Sequence, residues 1–292
     1  MGFLDGKSIV ITGSGRGIGK AVAIACAKEG ANVGLTSRTL DELNTTKKEI
    51  ENLGTGIKVI IKTADITNYD EVELAFKHFH DGLGLLNGVI ANAGASRMGD
   101  THDFDPDTFD NILKVNILGV FNTFKAAYHY LNKNNKKDKA RFIITGSEAY
   151  PQSMPKFAAY TASKYATVGL QRTLATEYKR ENITFNQILP TMVDTKLLRG
   201  RKAGDGNKPD NIMNPWELND YYIFLLTDDA NRVNDQLIMS SDINAVKKII
   251  SKAPTDKKEN WEKFGDYLEE KAPKTFNNVK KIKKFIEFLL TR

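Results

Sequence analysis

The chain has 292 residues, with 42 Lys+Arg against 36 Asp+Glu and a single cysteine. One cysteine excludes an intrachain disulfide framework and suits a reducing compartment, so a cytoplasmic location is expected. Apolar and charged fractions of 41% and 27% are those of a soluble globular chain, and no run of 18 apolar residues is present to form a transmembrane helix.

The excess positive charge is local. Residues 244–292 hold 13 basic and 7 acidic residues, and the first 243 residues hold 29 of each. A neutral body argues against nucleic-acid binding. The start, MGFLDGKSIVITG, enters a predicted strand by residue 8, which leaves no room for a signal peptide. Gly6 stands where the myristoylation pattern wants Ser or Thr.

In chain order, SIVIT (8–12) is the first predicted strand, and a helix follows near 17–30 with Cys26 in its apolar run, a packing position. NVGLT (32–36) and a helix near 40–53 come next, then IKVIIK (57–62) and a helix near 68–80. HFH (78–80) lies in that helix, where i and i+2 do not share a face, so a metal pair is not expected there. LNGVIA (86–91) precedes a long helical pattern over 106–131. NKNNKKDK (132–139) reads as a solvated loop before RFIITG (141–146). A helix near 157–180, TFNQIL (184–189), a polar stretch at 199–214 expected to be a mobile loop, a helix near 215–227 and DQLIM (235–239) complete the pattern. Several strands are continuous apolar runs, the mark of strands covered on both faces. Strand–helix alternation repeated this often predicts an α/β fold, a doubly wound parallel sheet of about seven strands with helices on both faces.

We divide the chain into a single domain over 1–243 and a basic helical extension over 244–292, broken by Pro254 and Pro273. The last piece puts Val279, Ile282, Phe285, Ile286, Leu289 and Leu290 on one face, with Lys280, Lys281, Lys283 and Lys284 mostly on the other. A packed surface helix, docking on a partner subunit and membrane-surface contact are the three readings of it.

The first strand runs into TGSGRGIGKAVA, which fits T-G-x-x-x-G-x-G through Thr12, Gly13, Gly17 and Gly19. Glycines there permit a tight turn and the close approach of a pyrophosphate to backbone N–H groups at a helix N-terminus. After the second strand, where an NAD site wants an acid for the ribose hydroxyls, the chain has Ser37 and Arg38. Arg38 and Arg16 can meet a 2′-phosphate, so NADP(H) is expected over NAD(H). Asp41 and Glu42 are read as first-turn acids of the next helix.

Tyr160 and Lys164 stand one turn apart on one helix face, and so do Tyr267 and Lys271. The second pair flanks Glu269 and Glu270 in the tail and has no serine in register. The first does, and from 7 to about 242 the chain resembles the short-chain dehydrogenase/reductase family. The resemblance rests on TGSGRGIG (12–19), Asp65-Ile66-Thr67, ANAG (91–94), KVNILG (114–119), Ser147 in ITGSEAYP, YTASK (160–164) and LPTMVDT (189–195). Ala91 and Thr191 depart from the commonest forms, and the usual D-G-G ending is missing after the last strand.

The resemblance implies a Rossmann-like fold and a catalytic set of Asn116, Ser147, Tyr160 and Lys164. It implies a cofactor site of Gly13, Ser14, Arg16, Gly17, Ile18, Gly19, Ser37, Arg38, Asp65, Ile66, Asn92, Ala93, Gly94, Pro190, Val193 and Thr195, joined by Tyr160 and Lys164. Chemically, reducing a ketone with hydride builds charge on its oxygen, so a proton donor must stand within hydrogen-bond reach. A nearby cation favours phenolate, so Lys164 is expected to lower the Tyr160 pKa. Ser147 would stabilise the developing charge, and by resemblance Asn116 holds a water of a proton relay.

Substrate contacts are expected from Ser147, Tyr150, Met154, Tyr160 and Met192, with Phe157, Leu197 and Leu198 making the pocket apolar and Arg97 meeting any acidic group. A small carbonyl or alcohol is the implied partner, 3-oxoacyl thioesters being one class. The alternative is an NADP(H)-binding regulator or scaffold without turnover. Family members commonly form homodimers or homotetramers through the helix after the active serine and the late helix near 215–227.

Overall fold

Apolar runs buried on both sides make the centre of this molecule. In the computed structural model, which describes residues 2–133 and 137–291, they form β1 (Ser8–Thr12), β2 (Asn32–Ser37), β3 (Val59–Thr63), β4 (Gly88–Ala91), β5 (Ala140–Thr145), β6 (Ile183–Leu189) and β7 (Gln236–Met239). The order is β3-β2-β1-β4-β5-β6-β7, every pairing is parallel, and β1 pairs with β2 through Ile9–Val33 and with β4 through Ile9–Gly88. The chain direction across the sheet reverses between β1 and β4, the switch point where a cleft opens at the strands' carboxyl ends.

Alternate side chains feed two cores. Ile9, Ile11, Ile143 and Ile188 face α1 (Gly17–Lys28) and α2 (Leu40–Glu51). Val10, Val89, Phe142 and Phe185 face α3 (Tyr69–Leu83), α5 (Gly119–Ala127) and α6 (Ala158–Glu177). Local signals set the helix starts: Asn68 accepts from the backbone of Asp70 and Glu71 at α3, and Asp105 caps α4 (Pro106–Leu113) through Thr108 N.

The helix expected over 106–131 runs without a gap over 106–127, as α4, a π turn over Lys114–Leu118 and α5. The extra residue in that turn carries Asn116 inward to 1% exposure.

The stretch expected to be a solvated loop also differs. Positions 134–136 of it lie outside the described residues, but Asp138 is buried beside Arg141, itself 1% exposed. The Arg141 guanidinium donates to Asp138 Oδ1 at 2.9 Å and to the carbonyls of Leu225 and Thr227 at 3.0 and 2.9 Å. Lys7 pairs with Asp138 and, at 2.6 Å, with Asp228. Segment 199–214, expected to be mobile, is tied down: after α7 (Lys196–Arg199), Arg199 reaches Asp194 and Asp205 at 3.0 Å each, and Met213 bridges to Val193.

The tail forms α9 (Ser240–Lys252), α10 (Trp261–Lys271), α11 (Pro273–Val279) and α12 (Lys283–Leu290). Its apolar face is buried, with Val279, Ile282, Phe285, Ile286 and Leu289 all inside the α1-side core. Phe285 stacks on Phe224 of α8 (Asn219–Leu226) at 4.9 Å, and Phe288 meets Phe3 at 5.3 Å. Lys280, Lys281, Lys283 and Lys284 face solvent. Of the three readings of this piece, the packed surface helix is the one found. The late helix expected to meet a partner is covered by its own chain, with Tyr221 to Leu226 at most 1% exposed. No helix of the described residues is long and apolar enough to cross a membrane.

Candidate active site

The glycine loop is fastened to the end of β4. Thr12 Oγ1 accepts from the N–H groups of Asn92 and Ala93 at 3.0 and 3.1 Å, and Asn92 Nδ2 returns bonds to the carbonyls of Thr12 and Gly13. Gly13 has φ of 66°, and a Cβ there would sit 2.8 Å from Ala93 Cα, so only glycine fits this crossing. Gly17, with φ of 57°, opens α1 toward the side chain of Thr195.

One cleft of about 750 Å³ runs from this loop to the carboxyl end of β5. It is lined by Gly13, Arg16, Gly17, Ile18, Ser37, Arg38, Asp65, Ile66, Asn92, Ala93, Gly94, Ser147, Met154, Tyr160, Lys164, Pro190, Met192, Val193 and Thr195. The sequence therefore placed most of its candidates on one surface. A bare, glycine-floored helix N-terminus beside two exposed guanidiniums fits a dinucleotide with an anionic group at its adenosine end.

Four expected site residues do not line the cleft, and each has a physical reason. Ser14 is fully buried; its hydroxyl donates to Thr36 O at 3.3 Å and its carbonyl accepts from Thr46, so it anchors the loop from behind. Gly19 packs inside the turn, where a Cβ would lie 2.3 Å from Gly13 O. Tyr150 turns its ring onto Tyr165, at 4.8 Å, away from the substrate side. Asn116 sits behind α6, where its amide donates to Ala95 O at 2.9 Å and Ser163 Oγ at 2.8 Å and its oxygen accepts from Ala95 N at 2.8 Å. Its side chain thus braces the β4 end against α6. Arg97, expected to meet an acidic group, is exposed and is not part of the lining.

At the adenosine end, Arg38 lies 3.9 Å from Asp65, and Arg16 holds Glu42 at 2.6 Å. Glu42 is in the first turn of α2, as read from the sequence, but its carboxylate also reaches the glycine loop. Asp65 is otherwise occupied by Thr67, accepting from its N–H at 2.9 Å and its hydroxyl at 2.8 Å.

At the other end, Ser147 follows β5 in a tight turn, and its Oγ accepts from Ala149 N at 3.1 Å. Ser147 and Tyr160 both line the cleft, and the Ser147 hydroxyl is near enough to the phenol to favour its ionised form. Burial pushes that phenol up, and the neighbouring Ser147 hydroxyl offsets part of the rise. Lys164 is 6% exposed and donates to Thr145 O at 2.9 Å. Burial pulls its ammonium down to about 8. The expected lowering of the phenol by Lys164 is overridden: the ammonium lies 5.4 Å from the Tyr160 ring centre and faces the Thr145 carbonyl, so desolvation wins.

The second Tyr–Lys pair is unlike the first. Lys271 is exposed and bound to Glu270 at 2.7 Å, on the far tail helix α10. His80 stacks on Tyr130 at 4.9 Å, and no group of three or more His, Cys, Asp or Glu among the described residues is arranged to hold a metal. Glu148, first residue of the stretch 148–157 expected to line the substrate pocket, does line the cleft, but its reach to the start of α9 was not foreseen. Its adjacency to Ser147 was the available signal.

Comparison with known proteins agrees with this geometry. A family model described as short chain dehydrogenase matches residues 7–206. Versicolorin reductase 1 of Dothistroma septosporum is 35% identical over 196 residues, covering 66% of this chain and 72% of the relative. (-)-trans-Carveol dehydrogenase of Rhodococcus erythropolis is 31% identical, covering 74% and 80% of the two chains. Among solved structures, levodione reductase superposes with a TM-score of 0.74 at 25% identity, over 81% of this chain and 96% of that one. A short-chain dehydrogenase of Burkholderia cenocepacia in complex with NADP gives 0.72 at 26% identity, over 81% and 96%. With the motifs gathered on one cleft and this match through residue 206, the chain belongs to the short-chain dehydrogenase family.

Proposed function

We propose that the protein is an NADP(H)-dependent oxidoreductase that interconverts a ketone and a secondary alcohol, with Tyr160 as the proton donor and acceptor. The observation that carries this reading is that Ser147, Tyr160 and the buried Lys164 share one cleft with the glycine loop. Gly13, Gly17 and the α1 N-terminus would hold the pyrophosphate, and Lys164 the ribose on the nicotinamide side. Arg16 and Arg38 would take the 2′-phosphate, with Glu42 giving way on Arg16. When bound, the nicotinamide supplies or accepts the hydride.

The residues of the chain do the rest. Ser147 donates a hydrogen bond to the substrate oxygen, and Tyr160 gives it a proton as negative charge develops. A phenol raised by burial keeps its proton at neutral pH, which suits the reductive direction. Met154, Phe157, Met192, Leu197 and Leu198 line the substrate side, so the ketone is apolar, with 3-oxoacyl thioesters as one class. The protein works in the cytoplasm as a homo-oligomer. Leu118 and Phe121 of the π turn and α5, and Tyr165 of α6, are 40–45% exposed and supply the contact face, the late helix being covered by the tail.

The test is turnover of a ketone panel with NADPH and with NADH. Tyr160→Phe is expected to cut kcat by about a thousandfold, while NADPH affinity stays within about twofold because the hydroxyl leaves the phosphate contacts untouched. Tight NADPH binding by the wild type with no turnover across the panel would replace this reading with a non-catalytic regulator.

A further inference from the structure

The tail begins at the active site. Helix α9, 13 residues long, starts at Ser240 immediately after β7, in the place where the family's D-G-G is missing. Its first residues do not end in solvent. Glu148, the neighbour of Ser147, accepts from the backbone N–H of Ser241 at 2.8 Å and from the hydroxyl of Ser240 at 3.3 Å. The same Ser240 hydroxyl, on a fully buried residue, accepts from the N–H of Thr191 at 2.8 Å. The backbone N–H of Glu148 in turn donates to Pro190 O at 2.9 Å.

These bonds form a closed circuit. The turn bearing Ser147 is held to Pro190 by its backbone and to α9 by the Glu148 carboxylate, and Thr191 is held to α9 by Ser240. A carboxylate at a helix N-terminus accepts from otherwise unpaired N–H groups and meets the positive end of the helix dipole, so the contact is strong for its size. The rest of the tail backs the anchor. Asn278 of α11 donates to Asp242 at 2.9 Å, and the Tyr221 hydroxyl donates to Ser240 O at 3.2 Å.

We propose that Glu148 is a positioning residue: through Ser240 and Ser241 it uses the tail to fix the Ser147 turn and the Pro190–Thr191 segment relative to Tyr160. The tail is then a working part of the active site, and Thr191 and Ser240, both departures from the family pattern, act as a matched pair. This rests on the oxidoreductase reading for its kinetic effect, but the geometry has its own readout.

The test uses the full chain with Glu148→Ala, Glu148→Gln and Ser240→Ala. In Glu148→Ala, kcat for ketone reduction is expected to fall by about tenfold to a hundredfold, since a misplacement near 1 Å at a reacting group costs this much. The NADPH dissociation constant should move by less than about twofold, because the phosphate contacts lie at the other end of the cleft. Glu148→Gln should recover most of the loss, its amide oxygen still accepting from Ser241 N. Ser240→Ala should show a smaller fall in kcat. Hydrogen exchange of the 146–150 amides should speed up in Glu148→Ala and stay slow in Glu148→Gln, whether or not any substrate has been found. Unchanged kcat and unchanged exchange in Glu148→Ala would overturn the proposal. So would a Glu148→Gln variant as impaired as Glu148→Ala with the loss in KM, which would put the carboxylate on the substrate. A wild type without turnover would sink the oxidoreductase reading alone, and the exchange result would still decide the clamp.

Discussion

Replacing Lys164 by methionine should make the protein more stable and less active. The ammonium is buried at 6% exposure and its pKa has moved from 10.5 down to about 8, which corresponds to about 3 kcal/mol held against the charged form. Methionine keeps the length of the stem but forfeits the charge-assisted bond to Thr145 O, at a cost of about 1.5 kcal/mol. The net gain near neutrality is about 1.5 kcal/mol, or roughly 3 °C in Tm for a chain of this size. The gain must depend on pH with a definite sign. Below about pH 8 the wild type carries a buried charge that methionine lacks. Between about pH 8 and pH 10 the folded wild type sheds a proton that its unfolded chain retains, so wild-type stability rises with pH and the gap closes. Melting both proteins from about pH 6 to about pH 11 tests this. A gap that does not change with pH, or a variant less stable throughout, would refute the argument that desolvation governs Lys164.

Arg38→Asp should shift the NADPH-to-NADH affinity ratio toward NADH by at least about tenfold, the worth of one charge-assisted bond to phosphate; an unchanged ratio in fluorescence titrations removes Arg38 from the site. Phe285→Ala should lower stability by about 3–5 kcal/mol in one cooperative transition, because Phe285 is fully buried against Phe224. A separate early transition in calorimetry would show the tail to be an independent unit. Asp138→Ala should cost about 3 kcal/mol by removing the carboxylate bonded to Arg141, read as a lower urea midpoint; no change would mean that the carbonyls of Lys139, Leu225 and Thr227 and the Asn231 amide oxygen satisfy Arg141 without it.

What could be read from the sequence was whatever depends on neighbours along the chain. The strands declared themselves because a parallel sheet covered on both faces needs unbroken apolar runs, and SIVIT and RFIIT supply them. Tyr160 and Lys164 stood out through helical spacing joined to a family resemblance that calls for a serine where Ser147 stands. The misses all involve distant partners or small shifts of register. One residue of π turn is too little to disturb an apolar period across 106–131, so the inward turn of Asn116 was hidden. Arg141 looked like the polar start of a strand because its carbonyl partners lie 84 and 86 residues away. The hold of Glu148 on α9 passed unnoticed because its partners there are 92 and 93 residues on. Tyr150 sits beside Ser147 in sequence, but the turn rotates its ring onto Tyr165.

The two sides of the sheet close at very different points along the chain, and that has a consequence for synthesis. The core on the α3, α5 and α6 side draws on residues from Val10 to Phe185, whereas the α1 side needs Leu289. A chain leaving the ribosome from its N-terminus can fill the first side about a hundred residues before it can fill the second. Once α8 has emerged, Tyr221 and Phe224 lack the cover of Phe285 and Phe288 until α12 follows. The nascent protein is therefore half-finished and sticky on one face until α12 emerges, and its yield should respond to chaperone supply more than its final stability would suggest.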